Sequence, residues 1–445
     1  MRVTQNSVVC CPRTKEKDKM ELLEAILTKE NMNEAYRRVC ANKGASGVDG
    51  VTVDKLHYYL TENKAEIFES IRTRKYKPQP VRRVEIPKEN GKMRQLGIPT
   101  AVDRVIQQAI SQVLTPIYEE QFSDSSYGFR PFRSCEMAVQ RSLQILNAGY
   151  TWVVDIDLER FFDTVHHDRL MNIINRTIKD GDVISLIRKF LVSGVMVGDR
   201  YEETRVGTPQ GGNLSPLLSN IMLNELDKEL EKRGLQFVRY ADDCNIFVKS
   251  QKSAERVMKT ITDFIERKLG LTVNASKSKV GKPSAIKFLG FGYFVDNEGK
   301  YQAKPHSKSI EKLKLKLKAL TCRSWGISLD TRLKKIRQQV NGWIYYFRIA
   351  KMKSHLIAID KKLRHRIRVV IWKQWKRTRK RYESLRKLGA SHDLAFQTAN
   401  CRKSYQFVCS THALKSTITN IRLENRGLIS LSNLYAKVHL AKCYY

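Results

Sequence analysis

The chain is short of acid. Across 445 residues, 45 Asp and Glu stand against 81 Lys and Arg, a formal charge of +36 with a pI near 9.9. Such an imbalance says nothing about fold, but it selects a polyanion as the partner, and RNA or DNA is the obvious one. Long apolar runs are lacking too. None reaches the roughly 18 residues that a bilayer crossing demands, and no lipidation motif is present, so no membrane is expected among the partners. No C-x-x-C occurs among the nine cysteines. Their odd number and scatter support neither a disulfide scaffold nor a zinc ribbon or HNH-type module. Free thiols suit a reducing compartment, and a cytoplasmic location is expected: bacterial cytosol, nucleoid-associated when acting on DNA. The first 19 residues mix Lys, Arg, Glu and Asp without an apolar core, unlike a signal peptide. They read as a short tail.

What is present is a mixture of helical and strand patterns without an internal repeat. Residues 20–72 carry Leu and Ile at helical spacing, interrupted by the Gly-rich stretch Gly44 to Gly50. Val84 to Lys88 and Met93 to Leu96 flank Asn90-Gly91 as a hairpin. Helices are expected over 101–118, from about 167, over 215–233 and over 252–269. Strands are expected at Val153 to Ile156, Phe237 to Tyr240, Asn245 to Val248, 271–273 and around Phe288 to Gly292. Interleaved helices and short antiparallel strands imply an α+β architecture. From about residue 304 the composition turns strongly basic. Residues 301–381 hold 25 Lys or Arg and three acidic residues, a net +22. Most of this stretch reads as helix, yet Leu313, Leu315 and Leu317 alternate with Lys, which by period alone is strand.

Two segments carry carboxylates at the ends of apolar strands: Val153 to Asp163, and Phe237-Val238-Arg239-Tyr240-Ala241-Asp242-Asp243-Cys244-Asn245-Ile246. Adjacent aspartates in a tight hairpin repel one another unless a cation neutralises them. Mg2+ takes hard oxygen ligands from a few carboxylates plus substrate phosphates. Two such ions lower the barrier for a 3′-hydroxyl attacking an α-phosphate and stabilise the leaving pyrophosphate. A lone Asp-Asp is usually a solvated turn. Tyr-Ala-Asp-Asp between two hydrophobic strands, with Asp157 some 85 residues earlier, is far more specific.

From about residue 20 onward the chain resembles the reverse transcriptase/maturase proteins encoded by group II introns, of the type lacking an endonuclease module. The resemblance rests on an ordered set: Gly44 to Gly50, Arg83 to Lys88, Arg94 to Thr100, Asp103-Arg104, Tyr127 to Pro131, Asp155 to Asp163, Gly207 to Gly212, Tyr240 to Asp243, Phe288 to Phe291, Gly342 to Phe347 and Trp372 to Lys376. It implies a right-hand polymerase: fingers and palm with a small antiparallel sheet over 20–300, then a helical thumb, or domain X, over 301–385. Residues 386–445 form a basic C-terminal region, a candidate DNA-binding segment, with the boundary near 385.

The resemblance further implies RNA-directed DNA synthesis with two Mg2+ ions, Mn2+ substituting. Asp157, Asp242 and Asp243 are the expected catalytic and metal-holding residues, with the Leu158 backbone carbonyl as a further ligand. Asp157 is preferred to Asp155 because an aromatic residue, Phe162, lies five positions on; a structural role is expected for Asp155. Phe162 is expected to exclude a ribose 2′-hydroxyl and so select deoxynucleotides, with Phe161 as the core residue. Lys88 and Arg94 are expected on the incoming triphosphate and Gln210 near the nascent base pair. Lys277 or Lys279 is expected to aid pyrophosphate departure. Phe288, Leu289 and Gly290 match the loop that grips the primer end. Trp343, Tyr346 and Arg366 are candidate RNA contacts in the thumb, whose charges would neutralise phosphates without reading bases. The implied partners are intron RNA, a DNA primer or target, the RNA–DNA duplex and dNTPs. Such a protein is expected to assist splicing and retrohoming, and to leave second-strand cleavage to another agent. The rival readings are an RNA-binding maturase with little polymerase role, and a reverse transcriptase of a retron, a diversity-generating element or a CRISPR locus.

Overall fold

The computed structural model of the chain describes residues 21–87, 91, 93–208 and 211–439. In chain order the strands are β1 (Val81–Pro87), β2 (Met93–Ile98), β3 (Trp152–Ile156), β4 (Val195–Val197), β5 (Arg200–Glu202), β6 (Gln236–Tyr240), β7 (Asp243–Val248), β8 (Lys279–Gly281), β9 (Phe291–Val295) and β10 (Tyr301–Pro305). With the helices between them they give the expected α+β class. The chain divides into two compact units. One comprises Met1–Pro131, Asp157–Gly234 and Lys259–Lys277; the other comprises Phe132–Ile156, Leu235–Met258 and Ser278–Tyr445.

In the first unit, β1 and β2 form the expected hairpin around Gly91, whose φ of 77° suits a tight turn. The sheet runs β2-β1-β4-β5. The helix Ala101–Glu119 buries Val102, Val105, Ile106, Ala109, Ile110 and Leu114 against the helices Leu22–Leu27 and Lys29–Ala41. Thr100 caps it reciprocally with Asp103: the Thr100 hydroxyl accepts from the Asp103 amide at 3.1 Å and donates to the carboxylate at 2.7 Å. The Gly44 to Gly50 loop packs on the same helix end. Arg104 donates to Ala45 O at 2.9 Å, and a Cβ at Gly47 would stand 2.6 Å from Thr100 Cα. The expected strand at 271–273 is absent. Leu158 and Val273 form a single bridge, while Thr272 O and the Asn274 amide bond to Glu159 and Asp157. Gly270, at φ 67°, turns the chain just before this segment, so no ladder extends.

In the second unit the sheet order is β6-β7-β3-β8. β3 and β7 pair antiparallel from Trp152–Val248 to Ile156–Cys244, burying Val153, Val154, Ile246 and Phe247. β9 and β10 form a separate hairpin. Three long helices follow: Ser307–Leu320, Leu329–Tyr346 and Lys353–Gln374. The conflict at Leu313, Leu315 and Leu317 resolves as helix. Leu313 and Leu317, four apart, are buried, while Leu315 is 64% exposed. The segment after residue 386 packs back on this helical body. Buried Asp360 accepts from the amides of Leu431 (2.8 Å) and Ser432 (2.9 Å) and from the Ser430 and Ser432 hydroxyls (3.1 and 2.7 Å), clamping the start of the helix Leu431–Val438. The six described cysteines are free thiols, and no described helix is long and apolar enough to cross a membrane.

Asp103 gives the fold a pH signature. Burial pushes its carboxyl up to about 6, against the downward pull of hydrogen bonds from Thr100, Tyr76 and Gln79. The folded chain therefore holds this proton more tightly than the unfolded chain, and stability is lost as pH rises from about 4 through 6. Urea titrations at pH 4.5 and 7 are expected to show wild type losing about 2 kcal/mol relative to Asp103→Asn over that interval. Parallel pH profiles for the two proteins would contradict this.

Candidate active site

β6 and β7 are joined by two residues, Ala241 and Asp242, between the paired Tyr240 and Asp243. Ala241 lies in left-handed backbone at φ 56°, a conformation costing a non-glycine residue about 1–2 kcal/mol. The fully buried Arg239 guanidinium donates to Ala241 O at 2.9 Å. Arg239 was passed over in the sequence as one letter of the motif; its only signal was a lone cation inside an apolar strand. Asp242 is half-buried and Asp243 exposed, at the open end of the sheet.

Asp157 follows directly on Ile156, the last residue of β3, and belongs to the first unit; Asp242 and Asp243 belong to the second. The Asp157 carboxylate is paired with Lys277 Nζ at 2.8 Å. Its backbone carbonyl accepts from the Asn274 amide at 2.9 Å, and Leu158 is bridged to Val273 with its side chain buried. Lys279, the other lysine singled out from sequence, donates to Ala285 O at 3.0 Å. Asp155 sits one step inside β3, across from Asn245 and Lys279, so it is part of the ladder rather than its end. The Asp242 and Asp243 carboxylates are hard oxygen donors of the kind a divalent cation takes. Among the described residues no three His, Cys, Asp or Glu side chains cage a metal by themselves. Mg2+ needs no such cage, since it keeps water and takes substrate phosphates as ligands.

In the first unit a cleft of about 200 Å³ is lined by Phe162, Arg83, Gln95, Gly97, Gly207 and Thr208 among others. Phe161 is buried at 2% exposure, while Phe162 is half-buried and faces the cleft. The Phe162 backbone is fixed from behind: the Thr208 amide donates to Phe162 O at 2.6 Å and the Gly207 amide to Val165 O at 2.8 Å. Gly207 has φ 92°, and a Cβ there would lie 2.9 Å from Phe162 O. Buried His167 donates from Nε2 to Gly207 O at 2.6 Å, and burial lowers its pKa. His167 is a second residue that sequence reading missed, since a lone histidine opening a helix carries no distinctive pattern.

Lys88 and Gln210 lie outside the described residues. Arg94 is exposed on β2 across from Ile86. Phe288, Leu289 and Gly290 form a tight turn, and the strand begins only at Phe291. Trp343 stacks on Phe347, with centroids 4.6 Å apart. The Tyr346 hydroxyl donates to Leu289 O at 2.9 Å. Arg366 donates to Thr321 Oγ1 (2.6 Å) and Lys318 O (3.0 Å), capping the helix Ser307–Leu320. It also borders a groove of about 600 Å³ rimmed by Lys314, Lys318 and Lys362.

Residues 86–293 match the family described as reverse transcriptase (RNA-dependent DNA polymerase), and residues 310–389 match the maturase-specific domain of group II introns. Protein YkfC of Escherichia coli is 36% identical over 299 residues, covering 58% of this chain and 78% of that protein. The group II intron-encoded protein LtrA of Lactococcus lactis is 44% identical over 206 residues, 46% of this chain and 34% of LtrA. Nuclear intron maturase 2 of Arabidopsis thaliana is 30% identical over 177 residues, 31% of this chain and 24% of that protein. The chain belongs to the group II intron reverse transcriptase/maturase family. It thus carries both modules of that family, although it matches only about a third of the length of LtrA and a quarter of the Arabidopsis maturase. Reverse transcriptase domains depend on divalent metal and act on nucleic acid; the family-wide expectation extends that far.

In this family member the fit of Gly207 against Phe162 is open to a direct check. Gly207→Ala forces both a disfavoured φ and a contact of 2.9 Å onto backbone. The expected loss is about 2–4 kcal/mol of stability in chemical denaturation. A change under about 0.5 kcal/mol would show that the loop relaxes freely.

Proposed function

We propose that this protein is an RNA-directed DNA polymerase that extends a primer on intron RNA in the cytoplasm and helps that RNA to splice. The observation that carries the reading is the Tyr240–Asp243 hairpin: two aspartates on a two-residue turn, held in a left-handed geometry by a buried arginine. A purely RNA-binding protein has no use for adjacent carboxylates that repel each other and the RNA.

Asp157, Asp242 and Asp243 would hold two Mg2+ ions, Mn2+ substituting, with the Leu158 carbonyl as a neutral ligand. When bound, the metal supplies Lewis-acid activation of the 3′-hydroxyl and charge neutralisation at the pyrophosphate. Lys277 balances Asp157 through their ion pair, whereas Lys279 is anchored on Ala285 O. Lys277 is therefore the better candidate to follow the departing pyrophosphate. Phe162 presents its ring to the cleft and would stand against the sugar, where it excludes a 2′-hydroxyl. Lys88 and Arg94 would meet the triphosphate, and Gln210 the nascent pair. The net +22 over residues 301–381 would track duplex or intron RNA phosphates, with an affinity that falls steeply with salt.

Primer extension on an RNA template with Mg2+ tests this reading. Wild type is expected to yield cDNA from dNTPs and little product from rNTPs. Asp242→Ala is expected to lose activity by about three orders of magnitude or more while binding RNA as before. Tight binding of structured RNA without any extension by wild type would hand the lead to a splicing-only role. In the same assay Phe162→Ala is expected to narrow the preference for dNTP over rNTP at least about tenfold, read as the ratio of kcat/KM values. An unchanged ratio would move Phe162 from sugar selection to plain packing.

A further inference from the structure

In the first unit the helix Leu56–Arg72 closes on an arginine where glycine is usual. The Lys75 amide donates to Ser70 O at 2.7 Å and the Arg74 amide to Ile71 O at 3.0 Å, the paired bonds of a Schellman motif. Arg74 takes the left-handed position of that motif, at φ 56°. A residue with a Cβ is disfavoured there, so the turn needs anchorage. The helix Gly181–Leu191 supplies it: the Arg74 guanidinium pairs with Asp182, and the Arg74 carbonyl accepts from Lys189 Nζ. Further on, the Tyr76 hydroxyl (2.7 Å) and the Gln79 amide (3.2 Å) both donate to buried Asp103. Lys75 therefore stands between the anchored residues Arg74 and Tyr76, and Lys77 between Tyr76 and Gln79.

Arg74, Lys75, Lys77 and Lys189 line a concavity of about 640 Å³, closed by Pro78 and Ser193, and no acidic side chain lines it. Asp182 neutralises Arg74, whereas Lys189 gives its bond to a neutral carbonyl. Lys75 and Lys77 are exposed and make no hydrogen bond or ion pair among the described residues. Three uncompensated cations on fixed backbone repel one another, and an anion seated among them relieves that repulsion. The concavity adjoins the Phe162 cleft along the chain. Pro78 and Ser193 line the one; Val81 and Val195 line the other. Their two segments run side by side, with the Val81 amide donating to Gly194 O at 3.0 Å and β1 pairing parallel with β4 from Val81 and Val195 onward. Three extended residues span about 10 Å, so one nucleic-acid strand can reach both places.

We propose that Lys75, Lys77 and Lys189 form a phosphodiester site for the unpaired template strand, holding its backbone just outside the Phe162 cleft. The site takes phosphates and reads no bases. This assignment rests on the polymerase reading given above, which supplies the template.

The test measures Kd for primer–template duplexes that differ only in the template's 5′ overhang, one nucleotide against eight. Wild type is expected to bind the long overhang about 5- to 20-fold more tightly at about 0.15 M salt. Lys75→Ala/Lys77→Ala is expected to lose most of that gain, with Kd for the short overhang within about twofold of wild type and Tm unchanged. Its salt slope on the long overhang is expected to fall by about 1.4, at roughly 0.7 per phosphate neutralised on a single strand. Lys252→Ala/Lys259→Ala removes the same charge from exposed positions on the helix Gln251–Phe264 and is expected to keep the gain. An overhang of uncharged methylphosphonates is expected to give wild type none. Equal losses on both overhangs mark long-range attraction alone and overturn the proposal. So does a wild type without the gain, a gain that survives in Lys75→Ala/Lys77→Ala or on methylphosphonates, or an equal loss in Lys252→Ala/Lys259→Ala. A wild type that extends no primer refutes the polymerase reading, while the overhang dependence of Kd still decides whether the three lysines hold the strand.

Discussion

A guanidinium with no exposed surface, Arg239, holds the carbonyl of Ala241, and the geometry of the aspartate hairpin depends on that contact. The turn has three costs to overcome: left-handed backbone at a residue with a Cβ, two neighbouring negative charges, and burial of the arginine itself. Arg239 offsets part of these: its hydrogen bond fixes the strained peptide and gives the buried guanidinium a partner in place of water. Leaving a guanidinium inside an apolar strand is otherwise so unfavourable that the sequence Phe-Val-Arg-Tyr would be a poor strand. The register of β6 on β7 and of β7 on β3 then carries this fixed turn to the open end of the sheet.

A related arrangement, a residue of positive φ whose carbonyl is held by a side chain from a helix, occurs at the Leu289-Gly290 turn and behind Phe162. His167 opens a helix and holds Gly207 O; Tyr346 closes one and holds Leu289 O. Helices are stiff, so turns clamped to them keep their geometry when a charged substrate pulls on them. Loops held only by their own hydrogen bonds would yield.

Much of this was legible in the sequence, because the parts that do chemistry sit where hydrophobic period and turn signals are sharp. The Asn-Gly hairpin, β3, β6, β7 and the long helices follow from alternation and spacing. What sequence could not give is where donors go. Arg366 reads as a candidate RNA contact, and what the sequence does not show is that its hydrogen bonds fall on Lys318 O and Thr321. Leu315 reads as core by alternation, yet helical period exposes it. Residues 271–273 read as a strand because their apolar pattern is right, but a strand needs partners for more than one residue, and pattern alone cannot count partners. Arg239 and His167 were missed for a related reason: a buried polar residue is identified by the carbonyl it faces, and that carbonyl comes from a backbone whose path is not yet known.

The charge distribution separates affinity from chemistry. The net +22 over residues 301–381 is carried mainly on solvent-facing helix positions; of the three carboxylates there, Asp360 is buried and accepts four hydrogen bonds at the start of the helix Leu431–Val438, while Glu311 and Asp330 stay exposed. So few acids among so many cations leave its positive field largely uncancelled, which favours phosphate contact of any sequence. The aspartate hairpin has the opposite sign, and a polyanion seated near it is repelled unless cations intervene. On the polymerase reading proposed above, a basic body would bring the nucleic acid in, and a small acidic turn would make metal a condition for closing the last distance. Selectivity for a given RNA has to come from shape, since charges that track phosphates read no bases.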